Sequence, residues 1–353
     1  MATAPEPELD SPVVVGNDPI GCGEIRWASE WVEGPDTGLV AFDDPVSGPG
    51  FYYTDRVYPA GGPYTHEVRR LAPDTGWTAV ASHQTRDHVG RVVTADGTLR
   101  FITWGEQRGW LSVHTSFRAP GELLWEAQVT RESVRDVVSA HGGLAFMTQG
   151  TPRVDPGVGT LDGAGGAVHS EQPVGVPDPD GIRFRRLIPG HDGQAFVVIG
   201  DDSGRAYVGE VGGALARYDR ANCELRFDTV QHLRSGELAY VEECGDVGFL
   251  NLRSADSASR IELPWVPAAA GEGPGGTLVF GVDDESGFTL VTFDPIRGRE
   301  IARAPLPSLA HVESSPVSLT TVSADSAGPF VAVGVYSLFT YSTLWTIAEL
   351  CQP

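Results

Sequence analysis

Arg86, Asp87 and His88 stand in a row, and 45 residues later Arg131 and Glu132 occupy the matching place in a similar stretch. Arg183 and Arg185, then Asp228 and His232, then His311 and Glu313 continue the series down the chain. Guanidinium, carboxylate and imidazole groups gathered on one surface recognise anions or move protons. His88, Asp87, Glu132 and His311 are therefore the candidates for acid–base catalysis, and Arg86, Asp87, His88, Arg131 and Arg183 for holding a ligand. His88, His232 and His311 could share a metal ion only from separate structural elements, which spacing in sequence cannot test.

Two acidic pairs, Asp201–Asp202 in "GDDSG" and Asp283–Asp284 in "VDDESG", carry the oxygen ligands that Ca²⁺ takes. Asp, Ser and Gly also cap their own backbone in turns, which accounts for both pairs without a metal. No cofactor is called for, and Ca²⁺ is the one ion these turns suggest. Aromatic residues cluster in two segments, Tyr58 and Tyr64 in "DRVYPAGGPYTHE" and Trp104 and Trp110 in "TWGEQRGW". Tyr, Trp and Arg dominate binding hot spots, so these four join the ligand-binding candidates.

Several chemistries are excluded. No G-x-S-x-G elbow, H-E-x-x-H pair or P-loop occurs, and "GAGGAV" from Gly163 lacks the third glycine of a dinucleotide fingerprint. All 25 basic residues are arginine, which rules out Schiff-base and lysine general-base catalysis. A formal charge of −22 repels phosphate backbones and anionic lipid, so nucleic acid is not an expected partner. No apolar run of membrane-spanning length exists, so no membrane insertion is expected.

The elements that must position these residues are short and repetitive. "TRDHVGRVVTADGTLRFITW" from Thr85 is echoed by "TRESVRDVVSAHGGLAFMTQ" from Thr130. A glycine-led turn followed by an alternating apolar strand recurs at Gly50, Gly97, Gly142, Gly193, Gly236, Gly276 and Gly328. A repeated four-stranded antiparallel unit of this length is a propeller blade. The expectation is an all-β, seven-bladed β-propeller, a single domain over 22–353 preceded by a flexible segment over 1–21. Residues 150–181, rich in Gly, Pro and Asp, are expected to form a long loop that leaves blade three irregular. In this reading the charged residues at the starts of the inner strands form one rim around the axis.

The last blade offers three strands, and "EIRWASEWV" (Glu24 to Val32) is left over at the other end of the chain. Pairing the two closes the ring and removes exposed strand edges. That pairing places Cys22 beside Cys351. Cys223 and Cys244 fall on one face of blade five, so the favoured disulfides are 22–351 and 223–244. Disulfides imply the periplasm, cell surface or extracellular medium. The opening "MATAPEPELDSP" lacks the layout of a signal peptide, so export requires the signal to have been removed.

The turns "VVTADGTLRFIT" and "IPGHDGQAFVVIG" resemble the inner hairpins of bacterial exported propellers of the TolB-like and lactonase-like kind. The resemblance implies the fold and carries over no catalytic residue. Three functions are compatible with it. The first is an exported, monomeric binding module that recognises a protein, peptide or glycan through an aromatic and arginine-bearing face. The second is a hydrolase or lyase with His, Asp and Glu at the central channel, with or without a metal. The third is a scaffold in a cell-envelope complex.

Overall fold

The computed structural model describes residues 21–29, 31–34, 39–57, 63–73, 75–85, 87, 89–95, 97–104, 110–114, 116–118, 123–128, 134–140, 143–148, 157–162, 168–173, 182–190, 193–201, 205–213, 215–217, 222–254, 256–284, 287–307, 319–321, 329–337 and 342–351. The segment 1–21 expected to be flexible lies, except for Gly21, outside the described residues. Seven antiparallel sheets follow one another along the chain, six of them built from four consecutive strands. The protein is a seven-bladed β-propeller.

The first strand of each blade lies innermost, against its counterparts in neighbouring blades. These inner strands are Val40–Asp44, Val89–Ala95, Val134–Ala140, Ile182–Pro189, Glu224–His232, Pro267–Glu272 and Leu319–Thr321. Period-two alternation sends successive side chains to opposite faces of a blade, so each blade packs against both neighbours. The described residues accordingly form seven apolar clusters, one per interface between blades. Burial of the apolar faces holds the ring together, at roughly 25 cal/mol per Å² removed from water.

Glycine makes the turns after the inner strands where a left-handed backbone is required. Gly97, Gly193, Gly236 and Gly276 have φ of 66°, 83°, 82° and 77°. Blade one departs from the expected position: its turn glycine is Gly48, with φ 77°. Gly50 sits inside the second strand, where a Cβ would come within 2.7 Å of Arg70 Nε. Gly142 and Gly328 are outside the described residues.

Blade three corrects a second expectation. Strands Gly157–Asp162 and Val168–Pro173 pair with each other inside the segment expected to be a long loop, and they complete a four-stranded sheet. Gly and Pro there punctuate short strands and do not replace them.

The last blade is closed by both chain ends. Ile25–Trp27 and Val32–Gly34 pair with successive parts of Ser342–Leu350. The expected single strand is two, interrupted at Ser29, whose Oγ accepts from the Ile347 N–H at 2.9 Å while its carbonyl accepts from Thr346 Oγ1 at 2.8 Å. Trp27 Nε1 and Trp31 Nε1 donate to the carbonyls of Pro305 and Pro307 at 3.0 and 3.2 Å, tying the same segment to the end of blade six. Cys22 and Cys351 are disulfide-bonded with Cα atoms 5.0 Å apart, and Cys223 and Cys244 with Cα atoms 4.3 Å apart. No described helix is long and apolar enough to cross a membrane.

Candidate functional site

The charged residues that meet at the axis sit deeper than the rim. Arg91 of blade two and Asp136 of blade three occupy the same position of the repeated stretch, 45 residues apart, with opposite charge. Inner strands of adjacent blades lie side by side, so equivalent positions face each other. Arg91 Nη1 donates to Asp136 Oδ1, which also accepts from the Val137 N–H at 2.9 Å. The other carboxylate oxygen of Asp136 accepts from the Leu187 N–H of blade four at 3.1 Å. One carboxylate thus ties three inner strands together.

The alternation of charge continues around the axis. Arg186 of blade four faces Asp228 of blade five at 3.7 Å, with 31% and 40% of their side-chain surfaces open. Burial disfavours charge on both: it pushes Arg186 down, against the pull of Asp228 and Asp136, and pushes Asp228 up, against the pull of Arg186. Arginine stays protonated at any physiological pH, so Arg186 remains a fixed cation. At 3.7 Å the pair is too long for a hydrogen bond, and both side chains keep part of their surface open. Arg91, Asp136 and Arg186 were not among the sequence candidates. Their trace in the sequence is a charge inside each apolar inner strand, alone in "VGRVV" and beside a second charge in "VRDVV" and "FRRLI".

The rim candidates divide. Asp87 is half-buried and fixed: Thr103 Oγ1 donates to its Oδ2 at 2.9 Å, and its carbonyl accepts from Thr85 Oγ1 at 2.8 Å. Arg86, His88, Arg131, Glu132, His311, Glu313, Tyr58 and Asp202 lie outside the described residues. Arg183 and Arg185 lie on the inner strand of blade four, and Asp201 and Asp284 end the second strands of blades four and six. Asp283 is exposed. Tyr64 opens the third strand of blade one and is half-buried, and Trp110 opens the third strand of blade two and is 40% exposed. Third strands begin on the face where the inner strands begin, so Tyr64, Trp110 and Asp87 share it.

Two candidates are not exposed there: Trp104, paired with Val89, reaches that face but is buried, and His232 lies at the opposite end of its strand. Trp104 is 4% exposed and packs in the apolar cluster between blades two and three, so it is core and not part of an exposed aromatic patch. His232 ends its strand, far from the rim, and stacks on Phe196 with ring centroids 4.7 Å apart.

A polar layer between blades one and two was not foreseen. His66 and His83 are cross-strand partners in blade one, and His114 ends the third strand of blade two. All three are buried around Phe101, on which His83 stacks with centroids 4.0 Å apart. His66 Nε2–H donates to the Asp87 carbonyl at 3.0 Å and His83 Nε2–H to the Phe117 carbonyl at 2.6 Å, since a carbonyl can only accept. A Cβ on residue 90 would fall 2.7 Å from His66 Nδ1, which is why "VGRVV" has glycine there. Neither ring nitrogen of His114 has a hydrogen-bond partner among the described residues. Burial, reinforced by the neighbouring His83, pushes the His114 imidazole down to about 4. Burial lowers His83 as well, against its bond to the Phe117 carbonyl. Among the described residues no group of three or more His, Cys, Asp or Glu is placed to hold a metal ion.

No protein-family model matches the chain, and no curated protein matches it in sequence. Solved structures do match. A catalytically inactive virginiamycin B lyase from Staphylococcus aureus with quinupristin is 10% identical with a TM-score of 0.52, over 92% of this chain and 99% of that one. The WD40 domain of Toxoplasma gondii coronin is 10% identical with a TM-score of 0.52, over 95% of this chain and 88% of that one. Kuenenia stuttgartiensis hydrazine synthase is 13% identical with a TM-score of 0.52, over 82% of this chain and 93% of that one. The likeness is one of fold. Propeller architecture serves many unrelated chemistries, so the residues around the axis must carry any functional argument.

Proposed function

We propose that this protein is an extracytoplasmic, monomeric binding module that takes a protein or peptide segment at the mouth of its axial channel. One observation carries the reading: four consecutive inner strands present Arg91, Asp136, Arg186 and Asp228 in alternating charge, with Arg186 and Asp228 3.7 Å apart and partly open. A polypeptide offers donors and acceptors in alternation along its backbone and charged side chains of both signs, which suits such a ring. Trp110, exposed on the face where these strands begin, supplies a flat apolar surface beside it. Two disulfides support an oxidising compartment.

A second reading rests on Asp228. A carboxyl raised by burial beside a fixed cation is closer to the range a general acid needs. That favours a hydrolase or lyase at the same channel.

Peptide and glycan arrays probed with the purified protein test both readings. A peptide hit should bind at least tenfold more weakly to Arg186→Gln and to Asp228→Asn, about 1.4 kcal/mol. A hit unaffected by both substitutions, or hits on the glycan array alone, refutes the peptide-binding channel. Turnover of the ligand that is lost in Asp228→Asn with binding retained establishes the enzymatic reading instead.

A further inference from the structure

The two disulfides are held in different ways. Cys22–Cys351 joins chain ends 329 residues apart, and Cys351 is 3% exposed. Cys223–Cys244 joins neighbouring strands of one blade, 21 residues apart. Glu224 and Glu243 are register partners, so the two cysteines form the next rung of that ladder. The same strands remain paired as far as His232 and Leu238, and the blade is packed by apolar clusters on both faces. Opening this bond therefore leaves the blade's own hydrogen bonds and core in place. Both cysteines are half-buried, which leaves surface for an incoming thiol.

A cation is fixed against one of the two sulfurs. Arg260 Nη2 donates to Cys244 Sγ at 3.4 Å. The guanidinium is held there over the Phe249 ring, 3.6 Å from its centroid, and by the buried Glu242, whose Oε2 lies 3.6 Å from Arg260 Nε. Asn251 Nδ2 also donates to that carboxylate, at 3.1 Å. The other charges nearby are Glu224, the Arg226–Glu243 pair and Asp246 in the turn beyond Cys244. Glu242 and Glu243 each sit against an arginine, whereas among the described residues only Arg260 touches sulfur. A donor of positive charge at a sulfur stabilises its thiolate, which leaves faster in exchange.

We propose that Cys223–Cys244 is a thiol–disulfide exchange site for an external dithiol, with Cys244 as the leaving thiolate received by Arg260. A thiolate of the dithiol attacks Cys223 Sγ, the Cys223–Cys244 bond breaks, and its electron pair stays on Cys244. The second thiol of the dithiol loses its proton to water and attacks its own sulfur in the mixed disulfide. Cys223 departs as a thiolate and is reprotonated by solvent. Two electrons pass to the protein, and the dithiol becomes a disulfide. The Cys22–Cys351 bond takes no part.

Graded dithiothreitol at pH 7 under anaerobic conditions, followed by acid quench, differential alkylation and peptide mass spectrometry, tests this on the full chain. The expected result is that Cys223 and Cys244 open at a dithiothreitol concentration at least tenfold below that opening Cys22–Cys351, with the circular dichroism spectrum unchanged. Opening of both pairs together, or of the clasp first, overturns the proposal. In the selectively reduced protein, neutral iodoacetamide at pH 7 should label Cys244 severalfold faster than Cys223. Arg260→Met should abolish that difference and slow reduction severalfold. Equal labelling in the unsubstituted protein removes the role of Arg260 even if the variant fails to fold.

Discussion

Acid should loosen the seam between blades one and two before it affects the rest of the ring. His114 is 8% exposed, has no partner for either ring nitrogen among the described residues, and is pushed down to about 4 by burial. Its unfolded counterpart titrates near 6.5. Between those values the unfolded chain binds a proton that the folded one does not, so stability falls as pH falls through that window and is fully present above it. The full difference is about 3 kcal/mol below pH 4, and about 2 kcal/mol of it is already lost at pH 5. His114→Gln fills a similar volume and cannot titrate. For a chain of 353 residues, about 2 kcal/mol corresponds to roughly 3 °C in melting temperature. Between pH 7 and pH 5 the unsubstituted protein should therefore lose about 3 °C more than His114→Gln by scanning calorimetry. Hydrogen exchange at pH 5 should quicken first in strands Val89–Ala95 and Gly76–Thr85. Carboxylates away from this seam titrate alike in both proteins and drop out of the difference. Equal losses in the two proteins would refute the assignment of acid sensitivity to this imidazole.

Two further outcomes follow from the packing. Replacing Cys22 and Cys351 together by serine removes a cross-link that loop entropy values at roughly 5–6 kcal/mol as an upper figure; urea unfolding should shift to lower concentration, with exchange in Ile25–Trp27 approaching that of an unprotected edge. Gly90→Ala should cost about 1–3 kcal/mol, because its Cβ would meet the His66 ring at 2.7 Å and the ring is held by the Asp87 carbonyl; a change below about 0.5 kcal/mol in the same urea titration would contradict the described seam.

The architecture was legible because a propeller writes itself into the chain as a period. Each Asp-Gly or Ser-Gly turn is a local requirement for positive φ, met in place at Gly97, Gly193 and Gly236. Cysteine spacing was legible for the same reason, since blade register brings Cys22 to Cys351 and Cys223 to Cys244. The site was less legible because it depends on contacts across blades. Trp104 has the composition of a binding residue, yet strand alternation turns it into the seam with blade three. His232 fails similarly: the strand Glu224–His232 is nine residues long, and only its first end faces the rim. The histidine layer could have been found by following alternation along "YTHEV", "ASHQT" and "SVHTS", which puts each imidazole on a buried face. That inference needs the pairing of His66 with His83, which sequence period alone does not supply.

A closed ring opens at its weakest seam, and two features of this chain decide which seam that is. The junction of chain ends is the weak point of any propeller, because there a blade is assembled from two distant segments. Here that junction carries the Cys22–Cys351 bond, the Ser29 contacts to Thr346 and Ile347, and two tryptophan hydrogen bonds to the end of blade six. The seam between blades one and two carries no disulfide and is spanned by the Arg118–Asp44 ion pair. Its apolar cluster contains Tyr52, Val68, Val92, Leu99, Phe101 and Phe117, and His66, His83 and His114 are buried beside it, burial disfavouring the charged form of the last two. This seam depends on the proton occupancy of His83 and His114, whose burial disfavours the charged form. With the junction reinforced, first opening in acid is expected at the histidine seam. Asp87 links the two levels, since its carbonyl holds His66 below and its carboxylate, fixed by Thr103, stands at the rim above. A ligand seated on that rim would clamp the same seam, so ligand binding and acid resistance should rise together.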